Sequence, residues 1–277
     1  MKVQFKVLAA AVVLAAALPA QAAIAPTISG NGSMLLNIVD RDSQISATFD
    51  LGKLYSDFNV KGTDFADSGV TASGTNFSWD LTTGNYAQAW TNFLAVASLP
   101  NVVYSVFGGD SLGTTAFSKG WVASYASPNT AAVYTSQQAT NTPLNTTFAF
   151  YSDNNSNSTL TTFQNHTLVD DGASVAVSGT AYAGGDVFKN NRLNGVGPVI
   201  FGAVGTDLGV IQVNSAASGI AAANQFVFGN GAKFNLSANG LLTYSTDAVV
   251  AVPEADTWAM MLLGLGFMGF IARRKQS

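Results

Sequence analysis

The chain has 277 residues, no cysteine, one histidine and a formal charge of −4, with 48% apolar and only 10% charged residues. Without cysteine there is no disulfide framework, no thiolate catalysis and no thiolate metal site. The apolar content is too high and the charge too sparse for a disordered chain, and no basic patch is present to neutralise phosphates, which argues against nucleic-acid binding.

At the start, Lys2 and Lys6 precede the apolar run Val7 to Leu18, and Ala20-Gln21-Ala22 follows Pro19. A basic region, a short apolar region and an A-x-A site make a secretory signal peptide over 1–22, with Ala20 and Ala22 as the small residues of the cleavage site. Twelve apolar residues are too few to span a bilayer. The secretion machinery is therefore an expected partner, and the remainder is expected outside the inner membrane.

Residues 23–250 form the expected β-rich exported passenger, long enough for one large domain or two small ones with a proper core. It carries fourteen Asp against seven Lys and Arg and is rich in Ser, Thr, Asn and Gly. Alternating or β-branched runs predict strands at Met34–Val39, Gln44–Asp50, Val102–Phe107, Trp121–Tyr125, Ala131–Thr135 and Thr147–Tyr151. More follow at Val175–Ala183, Pro198–Val204, Leu208–Val213, Gln225–Phe228, Lys233–Ser237 and Leu241–Ser245. Short strands between Gly/Asn/Ser/Thr turns indicate a mainly β fold, an antiparallel β-sandwich-like passenger. Asn239-Gly240 predicts a type I′ hairpin turn between the last two strands. One short helix is expected at Asn85–Ser98, where Tyr86, Trp90, Phe93 and Leu94 share a face and Pro100 follows. Ser136–Thr162 reads as a long loop around one short strand.

Gly109-Asp110-Ser111-Leu112-Gly113 fits the nucleophile-elbow string and follows an apolar strand. Ser111 is thus the one candidate for a secreted esterase or polysaccharide-acting hydrolase. A serine nucleophile needs an oriented base, and the single histidine, His166, has Phe163 rather than an acid three residues before it. A strand-ending turn accounts for Ser111 better, so no catalytic residue and no enzyme is expected. Asp40-Arg41-Asp42 and Asp170-Asp171-Gly172 put paired acids at turns, a weak calcium pattern without the rest of a binding loop; no cofactor is expected. Trp79, Trp121 and tyrosines offer aromatic surfaces for a carbohydrate-binding alternative. Asn-x-Ser/Thr triplets begin at Asn31, Asn76, Asn145, Asn154, Asn157, Asn165 and Asn235, a number such a composition produces by chance.

The chain ends with Val252-Pro253-Glu254, then Thr257-Trp258, an uncharged stretch to Ala272, and Arg273-Arg274-Lys275. As a helix, 258–272 would extend roughly 22 Å, against a hydrocarbon core of about 30 Å. Interfacial Thr257 and Trp258 and long basic side chains cover the difference, and the cations place the terminus in the cytoplasm. The expectation is a single C-terminal transmembrane helix. Gly264-Leu265-Gly266-Phe267-Met268-Gly269 fits a dinucleotide-binding string, but it lacks the preceding strand and the distant acid of that motif. Glycines at this spacing suit close packing of membrane helices.

In Val252-Pro253-Glu254, Thr257-Trp258-Ala259-Met260, the Gly-Leu-Gly at 264–266 and the basic end, segment 251–277 closely resembles the PEP-CTERM sorting signal of Gram-negative bacteria. Ala255 stands where that family usually has a second proline. The resemblance implies processing by exosortase, a membrane-embedded transpeptidase. Pro253 and Glu254 would be recognition residues, and Arg273, Arg274 and Lys275 the stop-transfer cluster. It further implies transient anchoring in the inner membrane, then a cell-surface or extracellular-matrix location. A structural or adhesive role beside exopolysaccharide in a biofilm would follow.

Overall fold

The computed structural model describes residues 24–60, 69–112, 119–127, 142–155, 172–177, 179–195, 197–215 and 223–248. The signal peptide with Ala20 and Ala22, the strand expected at 131–135, His166, Asp170, Asp171 and the sorting tail lie outside these. The chain divides into two compact units, Met1–Asp247 and Ala248–Ser277. Among the described residues no helix is long and apolar enough to cross a membrane.

The expected mainly β, antiparallel character is borne out. The strands are β1 (Ser33–Asp40), β2 (Ile45–Leu54), β3 (Asn76–Asp80), β4 (Val102–Asp110), β5 (Gly120–Tyr125) and β6 (Ala173–Ala176). They continue with β7 (Gly202–Ala203), β8 (Asp207–Asn214), β9 (Asn224–Val227), β10 (Lys233–Leu236) and β11 (Leu241–Ser245). All join one sheet in the order β3-β11-β10-β8-β5-β4-β1-β2-β6, with β7 against β4 and β9 against β8. A twisted sheet of this width curls, so the sandwich-like interior is enclosed by one continuous sheet rather than two. Strands from distant parts of the path share one core: Leu36, Ile38, Ala47 and Phe49 pack with Leu208, Phe234, Leu242 and Tyr244. At its centre Phe58 stacks on Phe234 at 5.9 Å between centroids and meets Tyr244 edge-on at 5.3 Å. Each such buried ring contributes roughly 1.5–3 kcal/mol.

The opposite face carries a second core of Leu35, Phe107, Trp121, Phe150, Phe188 and Val213. Alternation along single strands supplies both: Leu36 and Ile38 point into the first core, Leu35 and Val39 into the second. Of the three α-helices among the described residues, α1 (Tyr55–Phe58) and α2 (Ala87–Leu94) serve the first core through Phe58, Trp90 and Phe93. The third, α3 (Thr142–Asn155), covers the second.

Helix α3 overturns the strand expected at Thr147–Tyr151. The β-branched and aromatic run there has strand propensity, but Leu144, Thr147, Phe150, Tyr151 and Asn154 are all buried, and that spacing is one helical face. Tertiary packing overrides propensity. Helix α2 matches the expected short helix, shortened at both ends. Strand β3 was not among the expected strands, and the one expected over Pro198–Val204 shrinks to β7 plus a bridge from Val199 to Ser127. The hairpin between β10 and β11 forms, but not with a type I′ turn. Gly240 alone has positive φ (83°) and donates to the Ser237 carbonyl at 3.0 Å, which is a three-residue loop with glycine in the left-handed position.

Candidate functional site

Ser111 follows β4 and is 8% exposed. Its N–H and its hydroxyl both donate to the Thr27 carbonyl, each at 3.0 Å. The glycine that opens its motif has a packing role: a Cβ on Gly109 would lie 2.5 Å from Cδ2 of Leu144, so the missing side chain lets α3 lie against β4.

Asp40 closes β1 and is fully buried. Its Oδ1 accepts the N–H groups of Asp42 and Ser43, while Oδ2 accepts the Ser43 hydroxyl at 2.9 Å and the Ser98 N–H at 2.8 Å. Burial pushes its pKa up, but the donors at Ser98, Ser43 and Asp42 together outweigh it and hold the group below the ordinary carboxylate value. Asp42 accepts from the Asn101 amide at 3.0 Å. The pair therefore clasps the turn between β1 and β2 to the segment entering β4. Arg41, between them, donates to the carbonyls of Gly184 and Phe188 and to the Asn191 side chain.

Of the two tryptophans considered for carbohydrate, Trp121 is only 2% exposed and belongs to the second core beside Phe107. It cannot serve as a surface platform. Asn154, one of the triplet asparagines, is also buried, with its amide spent on Phe150, Ala181 and Ser174.

Trp79 is differently placed. Strand β6 pairs only with Phe49 to Ser46 of β2, so the rest of β2, from Asp50 to Leu54, runs past β6. Across from it stands β3, the opposite end of the sheet, and among the described residues the two ends do not pair. Between them lies a cleft of about 680 Å³ lined by Asp50, Lys53, Ser78, Trp79, Asp80 and Tyr86 among others. Its size is within the range of small-ligand clefts, roughly 300–1,000 Å³. The indole N–H of Trp79 donates to the Leu51 carbonyl at 2.8 Å, and the Tyr86 hydroxyl donates to the Asp50 carbonyl. Both rings are thus tied to β2. The Lys53 ammonium sits 4.9 Å from the Phe77 ring centroid, a cation–π contact.

The electrostatics of the cleft are mixed. Burial pushes the Asp50 carboxyl above its ordinary value, against the opposing pull of the Gly52 N–H and the Ser33 hydroxyl, both at 2.9 Å. Hydrogen bonds from Thr82 hold Asp80 below its own. The Tyr86 phenol is pushed up to about 12, first by burial and then by Asp50, so it remains a neutral hydrogen-bond donor. The sequence singled out Trp79 but not Asp50, Lys53 or Tyr86. Nothing in their spacing reveals that two unpaired sheet ends bring them together.

Among the described residues there is no group of three or more metal-ligating side chains. No curated protein matches the chain, and no solved structure matches its fold. Residues 251–275 match the family model described as the PEP-CTERM protein-sorting motif. The chain carries the C-terminal signal by which exosortase recognises an exported protein.

Proposed function

We propose that this is a non-enzymatic structural or adhesive protein of the cell surface or extracellular matrix. It crosses the inner membrane by the secretory route and is held there transiently by a transmembrane helix over the apolar part of its tail. Exosortase then releases it, and it takes its place beside exopolysaccharide in a biofilm matrix. The observation that carries this is the sorting motif at 251–275. A non-catalytic reading of Ser111 is supported by its hydroxyl, which donates to the Thr27 backbone carbonyl, whereas a serine nucleophile needs a bond to a base.

Mass spectrometry of the exported protein, from cells with and without exosortase, tests the sorting step. The expected product ends near Pro253-Glu254 only when exosortase is present. A surface-exposed protein that keeps Arg273-Arg274-Lys275 would end this proposal.

A further inference from the structure

The cleft between β2 and β3 could receive either an added peptide strand or a small polar ligand, and its hydrogen bonds decide between them. A strand joins a sheet end through free backbone groups. Along this stretch of β2 five of those groups are occupied. The Asp50 N–H donates to Gly172, the Gly52 N–H to the Asp50 carboxylate and the Leu54 N–H to Asp57 at 2.8 Å. The carbonyls of Asp50 and Leu51 accept from Tyr86 and Trp79. Side chains have capped the edge, so strand addition would have to break these bonds first.

What remains open to a ligand is side-chain chemistry. Trp79 and Tyr86, half-buried against the first core, line the cleft with rings already tied down. Asp50, Ser78 and Asp80 also line it as hydroxyl- and amide-binding residues, the last two at exposed positions that alternate with Trp79 along the edge strand. Pinned aromatics cost little entropy on binding. Apolar ring faces next to a few placed acceptors match a sugar, whose C–H face is apolar and whose rim carries hydroxyls. Charge narrows the class further. Two carboxylates and one ammonium line the cleft, and that ammonium rests over Phe77, so a uronate polymer meets net repulsion. We infer that the cleft lined by Asp50, Ser78, Trp79, Asp80 and Tyr86 is a saccharide-binding site for neutral or N-acetylated hexose chains.

The test is calorimetric titration of the full-length protein in a zwitterionic, sugar-free detergent. The probes are cellotetraose, triacetylchitotriose, polygalacturonate and an alternating Thr-Val octapeptide. At least one of the first two is expected to bind. Ser78→Arg, on an exposed position of β3, should weaken that binding about tenfold or more with an unchanged urea midpoint. Trp79→Phe keeps a ring but loses the bond to Leu51, and should weaken it less. The site is overturned if neither neutral oligosaccharide binds at up to about 5 mM or if Ser78→Arg titrates like the wild type. Binding of polygalacturonate or the peptide in their place overturns it as well. Because purified protein is used, the result is independent of whether the tail is processed.

Discussion

Two aspartates on neighbouring strands illustrate how far local hydrogen bonding decides the behaviour of a carboxylate. Asp40 receives four donors and is held low; Asp50 receives two and is pushed up by burial. The two contribute to stability with opposite signs. A carboxyl whose folded pKa is depressed stabilises the protein above its unfolded value, near 3.9, and loses that stabilisation as pH falls through the folded pKa. A carboxyl whose folded pKa is raised stabilises below the unfolded value, and the benefit disappears as pH rises through the folded one. Asp40→Asn should therefore cost more stability at pH 7 than at about pH 3. Asp50→Asn should shift the other way, gaining on the wild type as pH rises between the same limits. Urea midpoints of the three proteins at both pH values check this; variants that move in parallel would contradict the assigned causes.

Helix α3 shows what the sequence conceals at the level of an element. Its end is fastened by Asn154, whose amide nitrogen donates to Phe150 at 2.8 Å and Ala181 at 3.3 Å and whose oxygen accepts from Ser174 of β6. Asn154→Ala leaves the Ser174 hydroxyl and the Ala181 carbonyl buried without this partner. It should cost about 2–3 kcal/mol, measured as a lower urea midpoint at unchanged slope. The strands β1, β2, β4, β5, β8, β9, β10 and β11 were legible because alternation reports which side of a sheet is buried. Helix α3 was not, since Thr147, Phe148, Phe150 and Tyr151 favour strands locally and only the second core makes a helix of them. β3 was missed for the converse reason: Asn76-Phe77-Ser78-Trp79-Asp80 alternates over only five residues, and its apolar members are recognisable only through Tyr244 and Leu51. The same limit hid the cleft. Trp79 announces an aromatic surface, whereas its neighbours Asp50 and Tyr86 arrive through sheet curvature that no spacing encodes.

For the molecule as a whole, address and fold are written in separate stretches of chain. Among the described residues both cores are built from Ile24 to Tyr244, and the compact unit they stabilise extends to Asp247. The sorting motif begins at residue 251. Glu254, the only glutamate in the sequence, lies in it, outside the stretch of chain that supplies the core residues. Glu254→Ala should leave the melting temperature of the purified protein unchanged while unprocessed chain accumulates in the membrane fraction. Calorimetry of the two proteins and an immunoblot of membrane and surface fractions measure the two halves of this expectation. A fall in melting temperature would tie the tail to the fold. Normal processing at an unchanged melting temperature would instead move recognition onto Val252, Pro253 and the Thr257-Trp258 pair, the parts of the motif that survive the substitution.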